Sequence, residues 1–220
     1  MLSSIKTSIR GIPGGIVSGV LAALQVIPYF RFLKGTVDYQ APCTFKLWFF
    51  QKVLGFNRKA YWPCHHGSTI NCWWNINVGI DAYPGYASGC YIQGIGKIYI
   101  GDYTIVAQNV SIISANHDLY DKRKHQRSEV VIGKYCLLGV GSTVLPGVHL
   151  GDFTVVGAGS VVTKSFPEGN CVIAGNPARL IRKLDKNQLV RFEHETRYRG
   201  YLRESSARFE KLKRWSIQAK

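Results

Sequence analysis

A period of six constrains this chain more than any other feature. From Ile100 an aliphatic residue returns at Val106 and Ile112, and then at Ile132, Leu138, Val144, Leu150, Val156 and Val162. The next residue is small at Gly101, Ala107, Gly133, Gly139, Gly151, Gly157 and Thr163. Four residues after the aliphatic come side chains of modest volume: Thr104, Val110, Cys136, Ser142, Val148, Thr154 and Ser160. A unit repeated at fixed length outranks local propensity in deciding a fold. Six residues are too few for a helix and its turn, but they suit a short strand and a corner where glycine relieves the steric limit on φ. Three units close a triangular coil, coils pair at about 4.8 Å, and the aliphatic residues stack into a continuous core. The expected class is an all-β solenoid. Residues 61–184 form the coil, residues 1–60 an N-terminal extension of short helices and loops, and residues 185–220 a basic amphipathic helix. That last helix would carry Leu189, Phe192, Tyr201, Leu202, Phe209 and Leu212 on its apolar side. Within the extension, residues 44–55 predict a docking helix with Thr44 as cap, Gly55 as stop, and Phe45, Trp48, Phe49 and Leu54 near one face.

The net charge of +15 is unevenly placed. Residues 1–60 hold eight Lys/Arg against one acid and residues 179–220 hold thirteen against five, whereas residues 61–178 hold seven of each. A nucleic-acid reader carries its positive charge on the face that reads, so excess confined to the flanks argues against nucleic acid. The flanks read as solvated helical faces or, more sharply, as attraction to anionic lipid or an acidic polymer. Residues 12–30 are uncharged and just long enough for a bilayer, but Pro13, Pro28, the Gly14-Gly15 pair, Ser18 and Gln25 work against one continuous spanning helix. Packing on the main domain is expected, with membrane-surface association as the alternative. The six cysteines show no CxxC pair and no clear secretory leader precedes them, which fits a reducing cytoplasm, peripheral to the inner membrane face if the flanks engage lipid. Cys64, His65, His66 and Cys72 match no zinc spacing, and no metal is expected.

Between Ile112 and Ile132 the register breaks at His117-Asp118-Leu119-Tyr120-Asp121 and the polar run 122–129. A rigid coil that breaks register extrudes a loop, and loops held by rigid scaffolds carry function. The stretches IYIGDYTIVAQNVSIISANHDLYD and VIGKYCLLGVGSTVLPGVHLGDFTVVGAGSVVTKSFPEGNCVIAGNPARLIRKL resemble the left-handed β-helix acyltransferases. They are most similar to the branch containing maltose and galactoside O-acetyltransferases and the enzymes that acetylate bacterial polysaccharides. The resemblance is strong over residues 76–184 and weak before residue 60.

The resemblance implies a left-handed parallel β-helix, a homotrimer, and acetyl-CoA as co-substrate with no permanently bound cofactor. It implies transfer of acetyl to a saccharide hydroxyl, in surface polysaccharide or glycolipid synthesis. An N-acetyltransferase on an amino sugar is the alternative from the same donor site, and a non-catalytic solenoid scaffold the alternative from another class. His117, in its SANHD context, matches the catalytic histidine, which would take the acceptor's proton as a general base. Asn116, Asp118 and Glu129 are the nearby polar groups that could orient it. Val140 and Ala158 would line the pantetheine arm with their main chains, and Thr163, Lys164 and Arg179 would meet the nucleotide end. Asn116 and Leu137 are candidate acceptor contacts. Leu137 stands where relatives commonly place tryptophan, so no particular sugar carries over.

Overall fold

The computed structural model describes residues 27–205. Their centre is a parallel β-helix whose strands fall on three faces in rotation. The first face stacks Thr69–Asn71, Tyr91–Gln93, Ser111–Ile113, Thr143–Val144 and Val161–Val162. The second stacks Ile76–Val78, Ile98–Ile100, Val130–Ile132 and His149–Leu150, and the third stacks Ile105–Val106, Leu137–Leu138, Thr154–Val156 and Cys171–Gly175. Ala178–Lys183 turns back antiparallel on the last of these and ends the coil. With the hexapeptide period, this is the parallel β-helix that the sequence predicts, of the left-handed kind that the resemblance implies.

The aliphatic residues at the period of six form columns in exact Cα register. Val78, Ile100, Ile132 and Leu150 align on the second face, and Val106, Leu138, Val156 and Ile173 on the third. Ile70, Ile92, Ile112, Val144 and Val162 align on the first. All nine aliphatics read from the sequence are buried, from 0% to 7% exposed, and so are the seven modest side chains four residues on. The coil begins earlier than its legible period. The helical turn Trp73–Asn75 and the connection between Val78 and Tyr91 insert residues that hide the register of its first turns.

The glycines serve a different purpose from the one expected. Gly101, Gly133, Gly139, Gly151 and Gly157 do not have positive φ; instead a side chain at several of them would strike the next coil. A Cβ on Gly101 would lie 2.6 Å from the Gly133 carbonyl carbon, and one on Gly133 would lie 2.5 Å from the Asp152 nitrogen. The left-handed backbone falls two residues later, at Tyr103, Asn109, Tyr135, Gly141, Gly147, Phe153 and Gly159. At one corner the left-handed residues are aromatic and stack down the axis: Tyr103 on Tyr135 at 5.1 Å, and Tyr135 on Phe153 at 4.8 Å between ring centroids. Stacking between rings offsets the backbone cost that would otherwise favour glycine there.

The C-terminal helix is corrected over its described part. Residues 185–205 hold a short 3-10 turn at Lys186–Gln188, then extended chain and a two-stranded hairpin of Tyr198–Arg199 with Leu202–Arg203. Gly200 takes φ +61 between the two strands, which breaks a helix there. The aromatic side chains instead cover the coil: Phe192 packs on Tyr103 and Tyr135, and Tyr198 and Tyr201 join the core at the N-terminal end. Phe209 and Leu212 lie outside the described residues, as does most of the uncharged run 12–30.

Residues 44–55 do form the short helix, as Phe45–Trp48 continued by Phe49–Val53 with the wider π spacing. Thr44 Oγ1 accepts from the Leu47 N–H at 3.2 Å, and Gly55 closes it at φ +96. The buried face differs from the expected one. Gln51 is fully buried, donating to the Ala60 and Trp62 carbonyls and accepting from the Tyr201 hydroxyl, while Phe49 and Leu54 face outward.

The coil meets its flanks at a buried ionic junction. Asp81, its side chain fully enclosed, accepts from the Gln40 and Ala41 N–H groups and meets His194 Nε2 at 3.0 Å. Asp102 accepts from the Ile80 N–H at 3.0 Å and pairs with Lys134 at 3.0 Å. Burial alone would raise the Asp102 carboxyl; the Ile80 N–H, Lys134 and Arg199 outweigh it and hold it below the usual range.

Candidate active site

The chain leaves the first face after Ser111–Ile113 and rejoins the second at Val130–Ile132, so the broken register extrudes its loop at a corner. Its neck is closed by the Ser128 N–H donating to the Ser114 carbonyl at 2.8 Å. Above the neck, Ala115–His117 and His125–Arg127 pair as an antiparallel hairpin, with His117 opposite His125 and ring centroids 4.4 Å apart.

His117 is exposed, and its Nδ1 lies 2.6 Å from the Lys122 carbonyl oxygen. A carbonyl can only accept, so this bond requires hydrogen on Nδ1. The lone pair of the neutral ring is then on Nε2. None of the three polar candidates touches the ring in this way. Glu129 lies beside His149 at 4.0 Å, and Asn116 sits opposite Gln126 in the hairpin. Asp118 braces the loop: Oδ1 accepts from the Tyr120 and Asp121 N–H groups at 2.9 Å each, and Oδ2 accepts from Gln126 Nε2 at 2.9 Å. Those bonds, from Asp121, then Tyr120 and Gln126, hold its carboxyl below the usual range. Sequence reasoning missed the ring's partner because a main-chain acceptor has no residue signature.

The donor candidates lie elsewhere on the coil. Val140 and Ala158 occupy successive steps of the corner between the third and first faces, both exposed, joined by the Gly159 N–H donating to the Val140 carbonyl at 2.8 Å. Gly139 permits this spacing, since a Cβ there would meet the Ala158 nitrogen at 2.7 Å. The Val140 and Ala158 N–H groups donate to no acceptor among the described residues. Thr163 and Lys164 are exposed on the corner between the first and second faces, the one from which the His117 loop leaves, with the Lys164 ammonium 5.6 Å from the Phe166 ring centre. Arg179, on the returning strand, is exposed and donates to the Ala178 carbonyl at 3.1 Å. Leu137 points outward from the third face between Ile105 and Val155. The structure thus joins Val140 to Ala158 and sets Lys164 on the loop's corner, but one chain does not bring the Val140–Ala158 edge to His117.

The cysteines take no part in this surface. Cys136 is buried with its Sγ 3.3 Å from the Gly151 carbonyl, and burial pushes its thiol up to about 12. Cys64 is buried, and His66 stacks on Phe50. No three His, Cys, Asp or Glu side chains gather as a metal site among the described residues.

Residues 129–164 match the family model described as the hexapeptide repeat of succinyl-transferase. A galactoside O-acetyltransferase of Lactococcus lactis is 36% identical over 124 residues, covering 54% of this chain and 58% of that protein. An Escherichia coli K12 protein named for lipopolysaccharide biosynthesis O-acetyl transfer is 39% identical over 134 residues, covering 55% and 61%. Among solved structures, a maltose O-acetyltransferase from Clostridium difficile 630 is 38% identical, covers 54% of this chain and 65% of that one, and superposes with a TM-score of 0.48. The chain spans about three fifths of the length of the curated relatives it matches. Its coil carries the hexapeptide repeat of that family model, and over about half of its length its sequence is similar to galactoside and lipopolysaccharide O-acetyltransferases.

Proposed function

We propose that this chain transfers acetyl from acetyl-CoA to a saccharide hydroxyl, in surface polysaccharide or glycolipid synthesis, with His117 as the general base. The observation that carries the reading is the bond from His117 Nδ1 to the Lys122 carbonyl, which leaves Nε2 free on an exposed loop. An alcohol is a poor nucleophile until its proton leaves. Nε2 takes that proton as the hydroxyl oxygen attacks the thioester carbonyl. The tetrahedral oxyanion collapses, the C–S bond breaks, and the thiolate recovers the proton from the imidazolium, giving an O-acetyl ester and CoA. Main-chain N–H groups suit the oxyanion. No acyl-enzyme is needed, and five of the six cysteines are buried.

The unused Val140 and Ala158 N–H groups suit the amide oxygens of a pantetheine arm laid along their corner. Thr163, Lys164 and Arg179 then meet the nucleotide phosphates, and Asn116 and Leu137 border the acceptor. Because the donor edge and His117 occupy different corners, the reading includes a homotrimer in which one copy's edge meets its neighbour's loop. It keeps residues 1–60 as an extension, 61–184 as the catalytic coil and 185–220 as a tail, and places the work on the cytoplasmic side, at a membrane surface. No helix among the described residues is long and apolar enough to cross a membrane.

The test is thiol release from acetyl-CoA against a panel of sugars, amino sugars, nucleotide sugars and oligosaccharides. With a genuine acceptor, His117→Ala is expected to lower turnover about 100-fold or more while CoA affinity holds. Lys164→Ala and Arg179→Ala are expected to weaken CoA roughly tenfold, less so at high salt. Unchanged turnover removes His117 from the reaction, and wild-type protein that binds no CoA sinks the transferase reading.

A further inference from the structure

The N-terminal extension carries a surface that the acetyl-transfer reading does not use. Phe49 and Val53 lie one turn apart on the helix of residues 45–53, next to Leu54 and Phe56, and all four are exposed, from 38% to 51%. The Phe49 and Phe56 rings belong to a continuous aromatic contact path: Phe49 meets Phe50 at 6.4 Å, Phe50 meets Phe56 at 6.4 Å, and Phe45 and Trp48 extend it from Phe49 to exposed Tyr29. A contiguous apolar patch of this kind on a water-facing surface marks an interaction site. Cations border it. Lys46 is exposed within the helix, the Arg58 guanidinium donates to the Val53 carbonyl at 2.9 Å, and Lys59 follows. Residues 27–66 hold six Lys/Arg against one acid, Asp38.

We infer that this face docks on an anionic phospholipid surface, with Tyr29, Phe49, Leu54 and Phe56 entering the headgroup boundary and Lys46, Arg58 and Lys59 meeting lipid phosphates. Aromatic and aliphatic side chains interleaved with cations are the composition of interfacial elements, in which apolar burial and attraction to anionic lipid act together. A second copy seated on the same face would set cations against cations. Nucleic acid would use the cations and rings but gains little from exposed Val53 and Leu54. The uncharged stretch of residues 12–30 leads in sequence into this face at Ile27 and Tyr29. The inference rests on the membrane-surface part of the proposed function and is independent of acetyl transfer.

Co-sedimentation of the full chain with phosphatidylcholine vesicles, and with phosphatidylcholine containing phosphatidylglycerol, tests it without acetyl-CoA. Binding is expected to the anionic vesicles at low salt, to fall at high salt, and to be weak to the neutral ones. Phe49→Ser/Phe56→Ser and Lys46→Glu/Lys59→Glu are each expected to weaken it at least tenfold, roughly. CoA binding and melting temperature, measured on the same samples, show that the variants are folded. No binding to anionic vesicles, equal binding to neutral ones, or folded variants that bind like wild type would each overturn the assignment. So would a patch variant that dissolves an oligomer seen by light scattering, which gives the face to a second copy, or an oligonucleotide that binds it in preference to vesicles. An inactive chain that still binds anionic vesicles loses only the transferase reading; an active one that does not bind loses only this one.

Discussion

Replacing Gly133 by alanine tests why the coil needs glycine where its sequence repeats it. The added Cβ would lie 2.5 Å from the Asp152 nitrogen and 2.6 Å from the Gly151 carbonyl carbon, both backbone atoms of the next coil. Ordinary contact needs 3.4 Å or more, so the two coils must part by nearly 1 Å at this corner. The bonds that cross there are the Gly133 N–H to the Leu150 carbonyl and the Lys134 N–H to Asp152 Oδ1, both 2.8 Å. Parting on that scale breaks them. At about 1 kcal/mol net for each bond and about 1–3 kcal/mol for overpacking, the loss is about 3–5 kcal/mol. Gly141→Ala is the control. Gly141 has φ +67, and a Cβ there meets nothing within 4 Å, so only the left-handed backbone cost of about 1–2 kcal/mol applies. The low end is expected, because Tyr103, Tyr135 and Phe153 occupy the equivalent left-handed position at another corner. Urea unfolding followed by far-ultraviolet circular dichroism gives both numbers. A Gly133→Ala chain within about 1 kcal/mol of wild type, or one more stable than Gly141→Ala, would refute close approach as the reason for these glycines.

Asp118→Ala removes the acceptor of the Tyr120, Asp121 and Gln126 bonds and loosens the hairpin that presents the Lys122 carbonyl; turnover should fall roughly 10- to 100-fold with the KM for acetyl-CoA unchanged. Unchanged turnover in a folded Asp118→Ala chain, or a loss that falls on the KM for acetyl-CoA instead, would separate Asp118 from the placing of His117. The depressed Asp102 carboxyl makes a different, acid-side prediction. A carboxyl whose folded pKa lies below its unfolded value adds stability above the unfolded value, and that contribution disappears as pH falls through the folded one. Stability should therefore drop on acidification below the ordinary aspartate range, and Asp102→Asn should start lower near neutral pH and decline less. Parallel acid curves for the two proteins would show that the junction with Lys134 and Arg199 does not carry this dependence.

How far the sequence reads the molecule depends on whether side chains or backbone carry the information. Leu138, Val144 and Val156 announce the coil because each must be apolar to sit 0% or 1% exposed in a stacked column, and a column imposes its period on the sequence. Thr44 and Gly55 are legible for the same reason, since a cap needs an acceptor side chain and a left-handed stop favours glycine. The left-handed corner after each aliphatic is not legible, because stacking allows tyrosine and phenylalanine to stand where glycine would be expected. Residues 185–205 mislead because Phe192, Tyr198 and Tyr201 are apolar on one side of an extended strap as readily as on a helix. The site divides in the same way. His117 shows itself by breaking the register, but its tautomer is set by a Lys122 carbonyl that any residue at that position would supply. What selects that carbonyl is the length of the turn and its bracing by Asp118. It follows that substitutions at Lys122 which keep the backbone path should leave turnover by the proposed base intact, whereas shortening the loop by one residue should abolish it with every named side chain still present.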